Sequence, residues 1–304
     1  MHRERNYQIL SSFWLKVIAM IFMVVDHVGV FLESYGFGND GMQTAAWVCR
    51  ILGRIAFPLF IFMLAEGMRH TRNPKKYLLR ISLIWAPMML AQTIDAFALG
   101  NKFGIGAFSN PFTDLLFVGA TLWLLKEKGR LKLLALIPAS YVILCYVLNV
   151  YEHANDLTVV WLPRLYRCDY SIFGLVAALG FFYAPNVIYF LTKNTLNDMG
   201  VSREVFEESG QGRGVINAFN AVILFAVNAA LWGISFIGRT ATRSPFDPFN
   251  MSLFQAWSLL AIPFLLLYNG KRGYDSKPFR VFSYLFFMVH LVLIFVIFRV
   301  SFGY

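Results

Sequence analysis

Apolar residues along this chain gather into long blocks separated by short polar segments. Nine blocks fall at approximately 13–33, 46–68, 77–97, 111–125, 133–151, 170–190, 215–234, 251–268 and 280–298. Blocks of this size suit helices that cross the roughly 30 Å hydrocarbon layer of a bilayer. The pattern therefore predicts an all-α polytopic membrane protein with about nine transmembrane helices. The fourth block is near the lower length limit and is expected to be tilted or partly re-entrant, with Pro111 in the turn before it. The longest polar connections, 152–169 and 191–213, are about 20 residues each, which leaves no room for a soluble domain. A single integral-membrane domain over 1–304 is expected. The first block follows a basic flank resembling that of a signal peptide. No small-residue cleavage site follows it cleanly, so it reads as a retained first span.

Composition supports the same picture. The chain is 58% hydrophobic and only 14% charged, well below the roughly 25% usual for a soluble domain. Charge also orients it. With the N-terminus cytoplasmic, the inner segments 1–16, 69–80, 126–132, 191–213 and 269–280 sum to +12, and the outer segments to +1. That asymmetry predicts a cytoplasmic N-terminus, an extracytoplasmic C-terminus and a multi-pass protein of the cell membrane. The net charge of +10 is thus largely topological. It attracts anionic lipids and does not read as nucleic-acid binding, because the cations sit in short loops between spans. Cys49, Cys145 and Cys168 show no metal-ligand spacing, and no His-x-x-x-His pattern exists, so no metal is expected. The cysteines read as small buried hydrophobes, a Cys49–Cys168 bridge requiring an oxidising face for both.

Charge at membrane depth is costly and is usually kept for interior roles. In MVVDHVGVFL, residues 23–32, Asp26 and His27 interrupt an apolar run. Neighbours on a helix point about 100° apart, so the two need not bond each other. Arg54, in ILGRIAFPLF, should reach a depth similar to Asp26 if the first two spans are antiparallel. That pair is either an ion pair stitching two helices or part of a reactive centre. His27 is either a packing hydrogen bonder or a general base in a wet cavity. Gly29 and Gly53 would allow close approach of the helices at this polar centre, and Pro58 would kink the second span just below Arg54. Asp95 closes the third span near the outer face, and His290 lies near the middle of the last. Glu66, Arg69, Arg72, Asn73, Lys75, Lys76 and Arg80 crowd the cytoplasmic boundary after the second span. They read as positive-inside anchoring or as a cradle for phosphates. The turn YNGKRGY adds Asn269, Lys271 and Arg272, and no P-loop or dinucleotide fingerprint is present. Before the sixth span, Arg164, Arg167 and Asp169 would order the loop or meet a substrate.

Taken in order, LKVIAMIFMVVDHVG, ILGRIAFPLFIFMLAEGMRHTRN with PKKYLLR, CDYSIFG and LLLYNGKRG resemble the TraX family of integral-membrane proteins. The resemblance spans nearly the whole chain and singles out Asp26, His27, Gly29, Arg54, Glu66, Arg72, Asn73, Asp169, Tyr170, Asn269, Gly270 and His290. It implies similarity to membrane acyltransferases, and the family's founding member is linked to N-terminal acetylation of a conjugative pilus subunit. By that analogy acetyl-CoA or another acyl-CoA is the donor, held over Glu66, Arg69, Arg72, Asn73, Lys75, Asn269, Lys271 and Arg272. His27 would take the proton from an acceptor amine or hydroxyl, or relay the acyl group. Asp26 or Asp169 would support that histidine, and Arg54 would stabilise the oxyanion or hold Asp26. Tyr170 and His290 are implied substrate contacts, and Asp95, from its place near the outer face, is a further candidate. The acceptor is a protein N-terminus, a glycan or a lipid-linked group, in contact with membrane lipids. Two other classes stay open. A transporter or flippase without covalent chemistry would show pseudo-symmetric halves, and no internal repeat is evident. A structural membrane protein would close Asp26, His27 and Arg54 into a network without a solvent route.

Overall fold

A computed structural model describes residues 7–302 apart from 37, 103–104, 106–109, 156 and 243–254. Its helices are α1 (Ser12–Tyr35), α2 (Asp40–Gly53), α3 (Ala56–His70), α4 (Pro74–Thr93), α5 (Pro111–Lys126), α6 (Leu136–Asn155), α7 (Ser171–Asp198), α8 (Arg203–Glu208), α9 (Gly210–Thr242), α10 (Ile262–Leu266) and α11 (Lys277–Phe302). Among the described residues seven helical stretches are long and apolar enough to cross a membrane. The protein is a multi-pass, all-helical membrane protein. Two of the nine expected spans fall short of that length. α5 has 16 residues, a rise of about 24 Å. The eighth block forms a short apolar helix over Trp257–Leu266. The 191–213 connection also differs from a plain polar loop: α7 continues to Asp198 and α8 follows.

Helix starts follow from local chemistry. Asn39, Asn73 and Asn110 each turn a side-chain oxygen onto a first-turn N–H, of Met42 (3.1 Å), Lys76 (2.9 Å) and Phe112 (3.0 Å). Pro74 and Pro111 stand at the start of α4 and α5, where no N–H is needed. The second span is broken. Pro58 cannot accommodate the carbonyl of the residue four before it, which is Arg54. Residues 54 and 55 form the turn between α2 and α3, their N–H groups reaching back three residues to Ile51 and Leu52.

The chain divides into two compact units, Met1–Met63 with Tyr183–Asn228 and Leu253–Tyr304, and Leu64–Phe182 with Ala229–Ser252. In the first, α1 packs along α2 and α11. On the α11 side aromatic pairs join them, Phe31 to Phe298 at 5.4 Å and Tyr35 to Phe302 at 5.6 Å between ring centroids. On the α2 side glycines set the spacing. A Cβ on Gly29 would lie 2.9 Å from the Cβ of Cys49, and one on Gly53 would overlap the backbone of Asp26. Residues 10–13 also run beside 267–272: Leu10 N–H donates to Leu267 O, Asn269 N–H to Leu10 O and Ser12 N–H to Lys271 O, at 2.8–2.9 Å.

In the second unit α4 packs on α5 and α5 on α6, with the Trp85 indole N–H donating to Thr113 at 3.0 Å. All three cysteines are free thiols.

Gly53→Ala is expected to cost about 1–3 kcal/mol, because the new methyl meets backbone and Cβ atoms that cannot rotate away. Thermal melting of the purified protein in detergent measures this. An unchanged melting temperature would mean that α1 and α2 separate freely.

Candidate functional site

The adjacency of Asp26 and His27 now has a reason: one helix position apart, they address two different neighbours of α1. Asp26 faces α2. Its Oδ2 accepts a hydrogen bond from Arg50 Nη1 at 2.7 Å, and its Oδ1 lies 3.5 Å from Arg54 Nη2. The two arginines are four residues apart, hence on one side of the helix end. One carboxylate thus lies between two guanidiniums. The cluster is not sealed: the side chains of Arg50 and Asp26 are 24% and 14% exposed, against 7% for Arg54.

His27 faces α11. Its Nδ1 lies 2.9 Å from Nε2 of His290, and Nδ1 of His290 lies 2.7 Å from the carbonyl of Phe286. These contacts assign the protons. A carbonyl only accepts, so His290 carries its hydrogen on Nδ1 and its neutral ring accepts at Nε2. His27 then donates from Nδ1, and the remaining lone pair of the dyad sits on His27 Nε2. Aromatic rings hold the geometry: His290 stacks on Phe286 at 5.1 Å, and Phe287 meets both imidazoles edge-on. Arg50 and Arg54 contact Asp26, the residue that precedes His27 in α1.

Asp26, His27, Arg54 and His290 thus come together in the first unit. Arg50, which makes the shorter bond to Asp26, was missed. Its spacing of four from Arg54 was the available signal. Asn269, Lys271 and Arg272 also belong to this unit, on the turn beside the start of α1. The Asn269 side chain accepts from Lys271 N–H at 2.9 Å. Lys271 and Arg272 are exposed, and Arg272 approaches Asp275 at 3.4 Å.

The remaining candidates lie in the second unit. Arg69 pairs with Glu66 at 2.9 Å, and Lys126 donates to the terminal carbonyls of α3, to Met68 at 2.6 Å and Thr71 at 3.2 Å. Asn73 caps α4, whereas Arg72 and Lys75 are exposed and have no acidic partner among the described residues. Lys75 also lies 5.7 Å over the ring of Trp123. Asp95 is buried and accepts from Ile105 N–H at 2.9 Å. Arg167 is 1% exposed and bonds Glu152 at 2.8 Å, joined by Arg164 at 2.8 Å, so these arginines order the loop before α7. The N–H groups of Asp169 and Ser171 donate to buried Asp114 at 2.7 and 2.8 Å, placing Tyr170 between two anchored positions. Among the described residues no group of three or more histidines, cysteines and carboxylates could hold a metal.

The arrangement defines a helical, multi-pass membrane protein with a histidine dyad beside a cationic cluster. Residues 11–184 match the family described as TraX protein; since these are more than half of the chain, the protein belongs to the TraX family. The match contains Asp26, His27, Arg50, Arg54 and the second-unit candidates, while the 269–272 turn and His290 lie beyond it. The chain is also similar to the probable fimbrial assembly protein FimC, serogroup H1, of Dichelobacter nodosus, with 43% identity over 72 residues. That stretch covers 23% of this chain and 27% of the relative. No solved structure matches the chain.

Proposed function

We propose that this protein is a membrane acyltransferase that moves an acyl group, acetyl in the simplest case, from acyl-CoA to an amine or hydroxyl acceptor. The observation that carries the reading is the pairing of His27 with His290 beside Asp26, Arg50 and Arg54. His27 Nε2 supplies the lone pair that accepts the acceptor's proton as its nitrogen or oxygen bonds to the thioester carbonyl carbon. The carbonyl electron pair moves to oxygen, facing the guanidiniums of Arg50 and Arg54. Collapse breaks the C–S bond, and the departing thiolate takes up the proton. His290 is a positioning residue: it fixes the His27 tautomer and shares the imidazolium charge through Nδ1–H.

CoA phosphates need cations without acid partners. Lys271 is the candidate in the first unit, beside Arg272, which is exposed but shares Asp275 at 3.4 Å, and Arg72 and Lys75 are the candidates in the second; substituting each pair separately distinguishes them. The name of the similar fimbrial assembly protein favours the N-terminal amine of a fimbrial subunit as acceptor, over a glycan or a lipid-linked group. Within this reading the chain crosses the cell membrane nine times, with its N-terminus cytoplasmic and its C-terminus outside, as the loop charges favour.

The test is saturable acetyl-CoA binding and acetyl transfer to a peptide amine by the purified protein in detergent. Binding together with transfer is expected. Absence of binding by folded protein at high acetyl-CoA concentration would overturn the donor assignment.

A further inference from the structure

Arg213 lies in the first turn of α9 and is 8% exposed. Three features make this an expensive place for a cation. An arginine stays charged, and burying an unpaired charge is strongly unfavourable. The helix dipole presents partial positive charge at an N-terminus, which disfavours a cation there. No acidic side chain among the described residues pairs with it, and its buried Nη1 has no hydrogen-bond partner. Its guanidinium carbon lies 5.8 Å from the ring centroid of Tyr268.

The surroundings are built to leave the guanidinium room. Gly270 has φ +74°, and a Cβ there would lie 2.8 Å from both Nε and Nη2 of Arg213. The turn is held rigidly beside it. Asn217, one helical turn after Arg213, donates to the carbonyls of Tyr268 at 2.7 Å and Leu266 at 3.2 Å. Ser12 bonds the Tyr268 hydroxyl at 3.0 Å. Exposed Lys271 and Arg272 follow directly.

We propose that Arg213, with Lys271, Arg272 and the backbone of the turn at Gly270, forms a phosphate-binding site whose anion neutralises the buried guanidinium. The fork of guanidinium N–H groups suits phosphate oxygens, and the cations of the turn supply the approach. Two sources carry this chemistry, the phosphates of the acyl-CoA donor and the headgroup of an anionic lipid. The first rests on the acyltransferase reading; the site itself does not.

The experiment compares wild type with Arg213→Met, which keeps the apolar stem and removes the charge, in phosphatidylcholine nanodiscs and in nanodiscs containing phosphatidylglycerol. Melting temperatures are recorded alone, with coenzyme A and with inorganic pyrophosphate. Without phosphate ligands the variant is expected to melt no lower than wild type, because an unpaired buried charge is gone. A structural role would instead lower its melting temperature, and would overturn the site. Wild type is expected to gain stability with coenzyme A, with an apparent affinity at least ~10-fold weaker in the variant. A response to phosphatidylglycerol alone, abolished by Arg213→Met, keeps the site and assigns it to a lipid headgroup. Equal responses of both proteins to every probe, or none from either, overturn the site. Equal coenzyme A binding by both would leave the donor reading standing without it.

Discussion

His27→Ala is expected to lower acyl transfer by a factor of roughly 10² to 10⁴, the range typical for a positioned general base. The lone pair left over in the dyad is on His27 Nε2, so no other atom of the pair can take the acceptor's proton. Binding of acetyl-CoA should survive, because the cations assigned to its phosphates are elsewhere. His290→Ala is expected to lower transfer less, about 10-fold, since it removes the partner that fixes the tautomer and leaves the base. Gln at 290 offers an amide oxygen that can still accept from His27 Nδ1, and should recover part of that loss. A packing role for both histidines predicts a different result: lower melting temperatures for both alanine variants and no selective loss of transfer. The decisive comparison is therefore turnover per folded molecule, measured beside ligand binding on the same samples.

Part of this centre was legible before any coordinates. Asp26 and Arg54 could be matched because adjacent antiparallel spans fix relative depth, and Gly29 and Gly53 marked where those spans touch. The break in the second span followed from Pro58, whose ring excludes the carbonyl of residue 54. Arg50 was hidden by position: it stands inside an apolar block but near its outer end, where an isolated arginine looks like an interfacial flank. The His27–His290 bond was not legible at all. The two are 263 positions apart, and nothing in helical periodicity says which distant span packs on the free side of α1.

The loops show the converse limit. Asp95 was a candidate substrate contact, and Arg164 and Arg167 were read as ordering their loop or meeting a substrate; in the folded chain Asp95 accepts from an N–H of the loop that follows it, and the arginines bond Glu152, the loop-ordering alternative. A carboxylate satisfied by backbone and one aimed at a ligand look alike in a sequence. Only the partner atoms separate them. Arg213 was concealed for the opposite reason. It counted as one cation among several in a polar connection, and its burial without a counter-charge exists only in the folded chain.

Asp26→Asn should be the most destabilising conservative change at this centre, by about 3 kcal/mol, the low end of the range for a buried ion pair broken on one side, because Arg50 and Asp26 keep partial exposure. The substitution keeps the shape of the side chain and deletes the negative charge that Arg50 bonds and Arg54 approaches. Arg54, with a side chain only 7% exposed, cannot move into solvent, and Arg50 then adds repulsion where it had been held by a 2.7 Å bond. The loss should therefore come from uncompensated positive charge and not from the missing hydrogen bond alone. Combining Asp26→Asn with Arg54→Met tests that origin directly. Removing the second charge should restore most of the melting temperature, a non-additivity expected only of residues that act on each other. Acyl transfer should stay low in the double variant, because the Arg54 guanidinium that would face the oxyanion is gone even though the summed charge of Asp26, Arg50 and Arg54 is unchanged. Additive losses in the double variant would mean that Asp26 and Arg54 stabilise the fold independently, and the cationic cluster would lose its place in the mechanism.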